Sequence, residues 1–484
     1  MKDLLIRENE LYVSDVHDRD IDYLIAEIHN NYYYISKISI KFKNISAFSM
    51  RKIMNMISEC SNITELDLHA STLNTQCINV VIDILSLNNF ITRLGFGHID
   101  LDDNGVAKVV EMLKKNSNIN CLDLSWNNIT YIGATRLAKI LMVNKHITII
   151  KLSCNSINNR GVIELAKMLK VNKYIENIDL SCNNFGLVGA IRLVESLYQN
   201  KTLKSLNLFG NNIPNDIVEY FVQLLKSNST LTKLCLGKIV FTNSQFEKFT
   251  NILLTNNTLT HLGLDLCSVD DGLLQLANML RQNNFLETLT MSSFTSSKQY
   301  LDNLMDAISK NNVLTILCLR HNNFGSHGTS IANMLKINTS LTRINLSKCC
   351  LENDISEIAN AMRFNDTIKH LDLSDNSISN VQEISEMLVE NIGLETLDLS
   401  RNKIDNHGVE LIANALRHNN TLRNINLSDN CFDSNCVNIF NTMLETNTTL
   451  IHIYGIDVDQ DKLKRNSDLM PTGKRIKSAV NCSN

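Results

Sequence analysis

The chain has 484 residues, 46 Lys and Arg against 50 Asp and Glu, a formal net charge of -4 and a hydrophobic fraction of 44%. Charge this close to balance excludes the basic excess that a nucleic-acid or acidic-membrane binder needs. Only 2 prolines and 17 glycines leave no linker-like stretch, and no apolar run approaches the length of a membrane-crossing helix.

In chain order, residues 1–33 read as a degenerate N-terminal capping segment. Ile21, Leu24, Ile25 and Ile28 have helix spacing, and His17 to Asp20 are placed to start that helix. The start of the chain lacks a long apolar segment, so no secretory signal is expected.

From residue 34 to 448 one pattern, Leu-x-x-Leu-x-Leu-x-x-Asn and then a helical stretch, returns fifteen times with a period of 26–28 residues. It reads cleanly at Ile119, Leu122, Leu124 and Asn127, and again 28 residues on at Ile147, Ile150, Leu152 and Asn155. Leu122 and Leu124, two apart, lie on one side of a strand. Ala134, Leu137, Ala138 and Leu141 lie on one face of a helix. Strands are expected near 65–69, 121–125, 149–153, 177–181 and 396–400. Glycine recurs at the helix entrance (Gly105, Gly133, Gly161, Gly189, Gly328, Gly408), where backbone is expected to approach backbone. One unit buries too few side chains to offset the entropy of ordering it, so stacking is obligatory. Helices are wider than strands, so the array is expected to curve with the sheet inside.

Asn127, Asn155, Asn183, Asn211, Asn322, Asn376, Asn402 and Asn430 occupy one repeated place and are expected to form a structural ladder. An amide both donates and accepts, so at one depth it can satisfy backbone groups of neighbouring turns. Cys267 and Cys349 take the same place, and Asn158 reads as pointing outward. Between 230 and 312 the pattern weakens, with Ile239, Cys267 and Phe294 at the ladder position. That is either drift in a tolerant array or a local binding site. Residues 449–484 read as a partial repeat, a closing helix within 459–470, and a basic tail with Lys474, Arg475 and Lys477.

The 13 cysteines form no paired clusters. Cys121, Cys235 and Cys318 fall on strands, as reduced thiols of a cytoplasmic protein would. No nucleotide-binding loop, H-E-x-x-H, C-x-x-C or G-x-S-x-G motif occurs, so no cofactor, metal or catalytic group is expected. His261 and His370 read as solvent-facing singles. Asp67, Asp123, Asp179, Asp372 and Asp398 sit between the strand leucines. Of these, Asp372 and Asp398 are on adjacent rungs. That pair could hold a cation or raise the pKa of one member, although screened surface carboxylates are the commoner outcome.

The repeat resembles the leucine-rich repeat superfamily over about residues 34 to 455. Its unit length and its Leu-Ala-x-x-Leu helices look most like the ribonuclease-inhibitor-like class. The resemblance implies an α/β solenoid, a right-handed horseshoe with a parallel sheet on the concave face and helices on the convex face. It also implies a protein partner, with no nucleic acid and no membrane, for a monomeric, non-enzymatic scaffold, adaptor or inhibitor. Candidate binding residues are Trp126, the only Trp, and Phe209, both read as rim residues, with Arg93, Lys151 and Lys204 on outward strand positions. The alternative is a GTPase-activating protein resembling the leucine-rich-repeat activators of the small GTPase Ran. Those carry an acidic stretch after the repeats, whereas this chain from Asp461 on has six Lys or Arg against two Asp.

Overall fold

The computed structural model describes residues 3–7, 9–31, 33–295, 300–325 and 327–469. The basic tail therefore lies outside the described residues. The chain divides into two compact units, Met1–Lys238 and Ile239–Asn484.

The first unit opens with a hairpin that the sequence pattern did not foresee. Strand β1 (Asp3–Arg7) runs antiparallel to β2 (Glu10–Val16), and β2 runs parallel to β3 (Lys37–Phe42). Leu11 and Val13 of β2 are fully buried, so the segment read as a cap contributes a strand to the sheet as well as the expected helix, α1 (Ile21–Asn31). The His17 N–H donates to Asp20 Oδ2 at 3.0 Å at the start of that helical segment. Beyond β3, each strand pairs in parallel with the next as far as Lys233–Gly237. The register stacks Leu66, Leu94, Leu122, Ile150, Ile178, Leu206 and Leu234, one per rung, and every one is buried. In the second unit the corresponding column runs Leu262, Leu289, Leu317, Ile344, Leu371, Leu397, Ile425 and Ile453.

Most strands have only three residues, as in Cys121–Asp123 and Thr396–Asp398. They are shorter than the sequence suggests because a left-handed turn follows at once. The residue between the strand leucines starts that turn. Asp67, Asp123, Asp179, Asp372 and Asp398 each accept the N–H two residues on, at 2.9 to 3.0 Å. These aspartates are turn-formers.

The asparagine ladder spans rungs. Asn155 Nδ2 donates to Leu124 O of the preceding rung at 2.9 Å and to its own Leu152 O at 3.1 Å. Its Oδ1 accepts the Ile129 N–H of the preceding rung at 3.0 Å. At Cys349 the thiol still donates to the preceding rung, to Leu319 O at 3.1 Å. Asn158, by contrast, is not a neutral outward residue. It has φ +54, and its Oδ1 accepts the Arg160 N–H at 2.9 Å.

A second asparagine column runs along the helix ends, from Asn88 to Asn228 in one unit and from Asn256 to Asn447 in the other, and all its members are buried. Asn172 is representative. Its Nδ2 donates to Leu141 O of the preceding rung at 2.7 Å, and its Oδ1 accepts from the Tyr174 and Ile175 N–H groups at 2.8 Å. The sequence reading missed this column. Its signal is Asn three residues before the first apolar residue of each unit.

The helix-entrance glycines meet side chains more than backbone. A Cβ on Gly189 would come within 2.7 Å of Asn159 Oδ1, the atom that accepts the Gly186 and Gly189 N–H groups. A Cβ on Gly133 would come within 2.5 Å of Asp103 Oδ1, which caps that helix in the same way. Each cap is lent by the preceding rung, and the glycine leaves it room.

In the irregular stretch, aromatic packing fills the place of the ladder. Phe294 packs on Phe246 with ring centroids 6.1 Å apart, and Phe241 lies 5.1 Å from Phe246 and 5.9 Å from Phe249. All four are buried. At the C-terminal end the expected closing helix is Gln460–Asp468. Its Arg465 Nη2 donates to Leu444 O at 2.8 Å and to Asn447 O at 3.2 Å. Those are the acceptors that a next asparagine of the second column would have taken. Asn466, fully buried, covers Leu450 O at 2.8 Å.

Candidate protein-binding surface

The turn after each strand places one residue, just before the ladder position, in the left-handed region. In the first unit these are Ala70, His98, Trp126, Cys154, Cys182, Gly210 and Lys238. In the second they are Leu266, Ser293, His321, Lys348, Asp375, Arg401 and Asp429. Their φ values run from +50 to +71. Left-handed backbone costs a residue with a Cβ roughly 1–2 kcal/mol. Here the next rung enforces it: the N–H of Trp126 donates to Ser153 O at 2.8 Å and that of Cys154 to Ser181 O at 2.9 Å. One side chain per rung is therefore held out along the edge of the sheet.

Trp126 stands in this column, 59% exposed. Its ring centroid lies 6.4 Å from that of His98, which lies 6.1 Å from His69. Gly97 makes room for this run, since a Cβ there would meet His69 Nδ1 at 2.4 Å. Three successive rungs thus carry a row of rings that the sequence reading did not assemble.

The other candidates are placed differently. Phe209 is half-buried and sits one position earlier than the Trp126 column, in a row otherwise rich in serine. Arg93 aligns in register with Cys121, five positions before Trp126, so the two stand at opposite ends of the strand. Lys204 precedes the strand Ser205–Asn207 and Phe209 follows it, so they stand at opposite ends and form no patch. Lys151 aligns with Asp123 and is the cation nearest to Trp126 in register.

Each of these cations meets an acid on the preceding rung. Arg93 Nε lies 3.3 Å from Glu65 Oε1, Lys151 Nζ 3.3 Å from Asp123 Oδ2, and Lys204 Nζ 2.9 Å from Glu176 Oε1. Lys204 also lines a shallow depression of about 270 Å³ with Lys173, Tyr174, Glu176, Lys201 and three threonines.

In the second unit Asp372 and Asp398 align in register, flanked by Asn345 and Asn426. Asn345 donates to Asp372 Oδ2 at 2.7 Å and Asn426 to Asp398 Oδ2 at 3.0 Å. Burial above all, then Asp398, pushes the Asp372 carboxyl above its ordinary value, against its hydrogen bonds from Ser374. No group of three metal-ligating side chains occurs among the described residues. His370 is half-buried rather than solvent-facing. Burial lowers its pKa, and its Nδ1 is buried without a hydrogen-bond partner. His261 is also half-buried, with Thr260 Oγ1 2.7 Å from its Nδ1.

Short parallel strands, a cross-rung amide ladder and a helix on every return define a leucine-rich-repeat solenoid of the α/β kind. The chain carries leucine-rich repeats. It matches the Leucine Rich repeat family at residues 115–138, 143–166, 171–194, 199–222, 364–381 and 390–413. Two similar solved structures are the leiomodin-1 actin-binding site 2 and TLR13 in a complex with ssRNA13. The first is 22% identical, covers 28% of this chain and 78% of that one, and has a TM-score of 0.24. The second is 14% identical and covers 87% of this chain, with a TM-score of 0.45; the match spans 62% of that chain's length. No curated protein matches the sequence. No helix among the described residues is long and apolar enough to cross a membrane.

Proposed function

We propose that the chain is a non-enzymatic binding protein whose partner is another protein, held along the left-handed rim and the adjoining sheet face of the first unit. The exposed Trp126, fixed by the backbone of the next rung, with His98 beside it and His69 beyond, carries this reading. A large apolar ring held out at an entropic and conformational cost is what an interface anchor requires. The ion-paired cations support a protein rather than a nucleic acid. Arg93, Lys151 and Lys204 each face a carboxylate, which offsets the positive charge that a phosphate backbone selects. Unit length and the Leu-Ala helices support the ribonuclease-inhibitor-like class, and Cys121, a reduced thiol buried on a strand, supports a cytoplasmic location.

The test is capture from cytosol on the immobilised full chain, quantified by mass spectrometry. Trp126→Ala should weaken retention of the partner by about 2 kcal/mol, near thirtyfold, and leave the melting transition in place. Lys139→Ala, on an exposed helix position, should change neither. A lowered melting transition with unchanged capture would assign the ring to the fold and overturn the proposal.

A further inference from the structure

Cys154 and Cys182 occupy the left-handed column on adjacent rungs, next after Trp126, with φ +53 and +52. The strands that lead into them pair in register, Ile150 with Ile178. Both thiols are half-buried and free, and each is near enough to the other for the Cys182 thiol to push the Cys154 thiol up. Neighbouring rungs lie about 4.8 Å apart, inside the roughly 4.4–6.8 Å between α-carbons that a disulfide spans. The Cys182 sulfur leans over Gly210, where a Cβ would come within 2.6 Å of it. A turn about χ1 brings it back toward Cys154, a motion of picoseconds to nanoseconds.

We propose that Cys154 and Cys182 are an oxidation site that closes to a cross-rung disulfide when a peroxide reaches the rim. The site does not depend on the partner proposed above. The Cys182 thiolate attacks the peroxide; an S–O bond forms, the O–O bond breaks, and the departing hydroxide takes a proton to become water. The Cys154 sulfur then attacks the Cys182 sulfenic acid. The S–S bond forms, the S–O bond breaks, and a second water leaves. Two thiols lose two electrons, the peroxide gains them, and both thiol protons end on water. Burial first, then the Cys182 thiol, push the Cys154 thiol up to about 12, and the two steps balance equally with the sulfurs exchanged.

The geometry also fixes the character of the bond. With equal φ the two Cα–Cβ bonds are parallel, so the β-carbons stand about one rung apart, against roughly 3.5–4.5 Å in a relaxed disulfide. Closure draws the two rungs together on the rim and leaves the bond strained, which makes it easy to reduce.

The reduced full chain is treated with hydrogen peroxide, digested without reductant and mapped by mass spectrometry. The expected product is a peptide pair joined through Cys154 and Cys182, formed before any product at the exposed Cys350 or Cys431 and lost on adding glutathione. Emission from Trp126, one rung from Cys154, should fall on oxidation and recover on reduction. Cys154→Ser and Cys182→Ser should each abolish both the joined peptide and the emission change. Oxidation that reaches Cys350 and Cys431 while the wild-type chain yields no joined peptide would overturn the proposal, whatever the variants do. An emission change that persists in both serine variants would overturn the link to Trp126.

Discussion

Replacing Asn155 tests how the rungs are held together. Its side chain gives hydrogens to Leu124 O, Leu152 O and Ser153 O and takes one from the Ile129 N–H. Alanine leaves a buried carbonyl and a buried N–H of the preceding rung without their side-chain partner. An unmade hydrogen bond at a buried group costs about 1–3 kcal/mol, and the N–H, with a single bond to give, tolerates loss least. Asn155→Ala should therefore destabilise the first unit by about 3 kcal/mol. Asn155→Cys should cost about half as much, because Cys349 shows that a thiol in this place still donates to the carbonyl behind it. Lys139→Ala should stay within about 0.5 kcal/mol of the wild type. Urea unfolding followed by circular dichroism and by Trp126 emission gives the midpoints, compared only where the slopes agree. If alanine and cysteine proved equally costly, or alanine harmless, the cross-rung account of the ladder would be wrong. Asn158→Ala is not a suitable control, since φ +54 and the bond from Arg160 make that residue structural too.

Arg465→Ala should leave Leu444 O without its side-chain donor, cost about 1–3 kcal/mol, and raise amide exchange over Cys436–Tyr454 while leaving the first unit unchanged. Gly189→Ala should push Asn159 off the helix start and cost roughly 1 kcal/mol or more in thermal unfolding. Asp372 gives a pH signature. Its folded pKa lies above the ordinary 3.8, so the folded form takes up its proton first, and stability rises as pH falls from neutral through the raised value towards 3.8. Urea midpoints of wild type minus Asp372→Asn across that range should slope this way; a flat difference would remove the buried-carboxylate reading.

The period of 28 residues and the ladder amides were plain in the sequence because each depends on residue type: leucines two apart, and an asparagine that nothing else matches. The second asparagine column was equally periodic. It escaped notice because asparagine at a helix end reads as ordinary turn chemistry until its bond to the preceding rung is seen. The ion pairs of Glu65 with Arg93, Asp123 with Lys151 and Glu176 with Lys204 each join residues 28 apart, so the period contained them, yet only the register showed that the cations are neutralised. The hairpin of β1 and β2 falls outside the repeat and left no periodic trace. The left-handed column was invisible for a different reason. Alanine, histidine, tryptophan, cysteine, lysine and aspartate share no propensity for that conformation, which is imposed by the hydrogen bond to the next rung.

That imposed conformation has an evolutionary consequence. At each rung the side chain before the ladder position is chosen neither by packing nor by local preference, and glycine alone would relieve the backbone there. Yet among the members of this column glycine appears once, at Gly210. An array with glycine at every such turn would be more stable and featureless. Each non-glycine residue along this edge therefore forgoes stability, and the order in which they stand, rather than the repeat that carries them, is the part of the chain free to diverge between one recognition task and another.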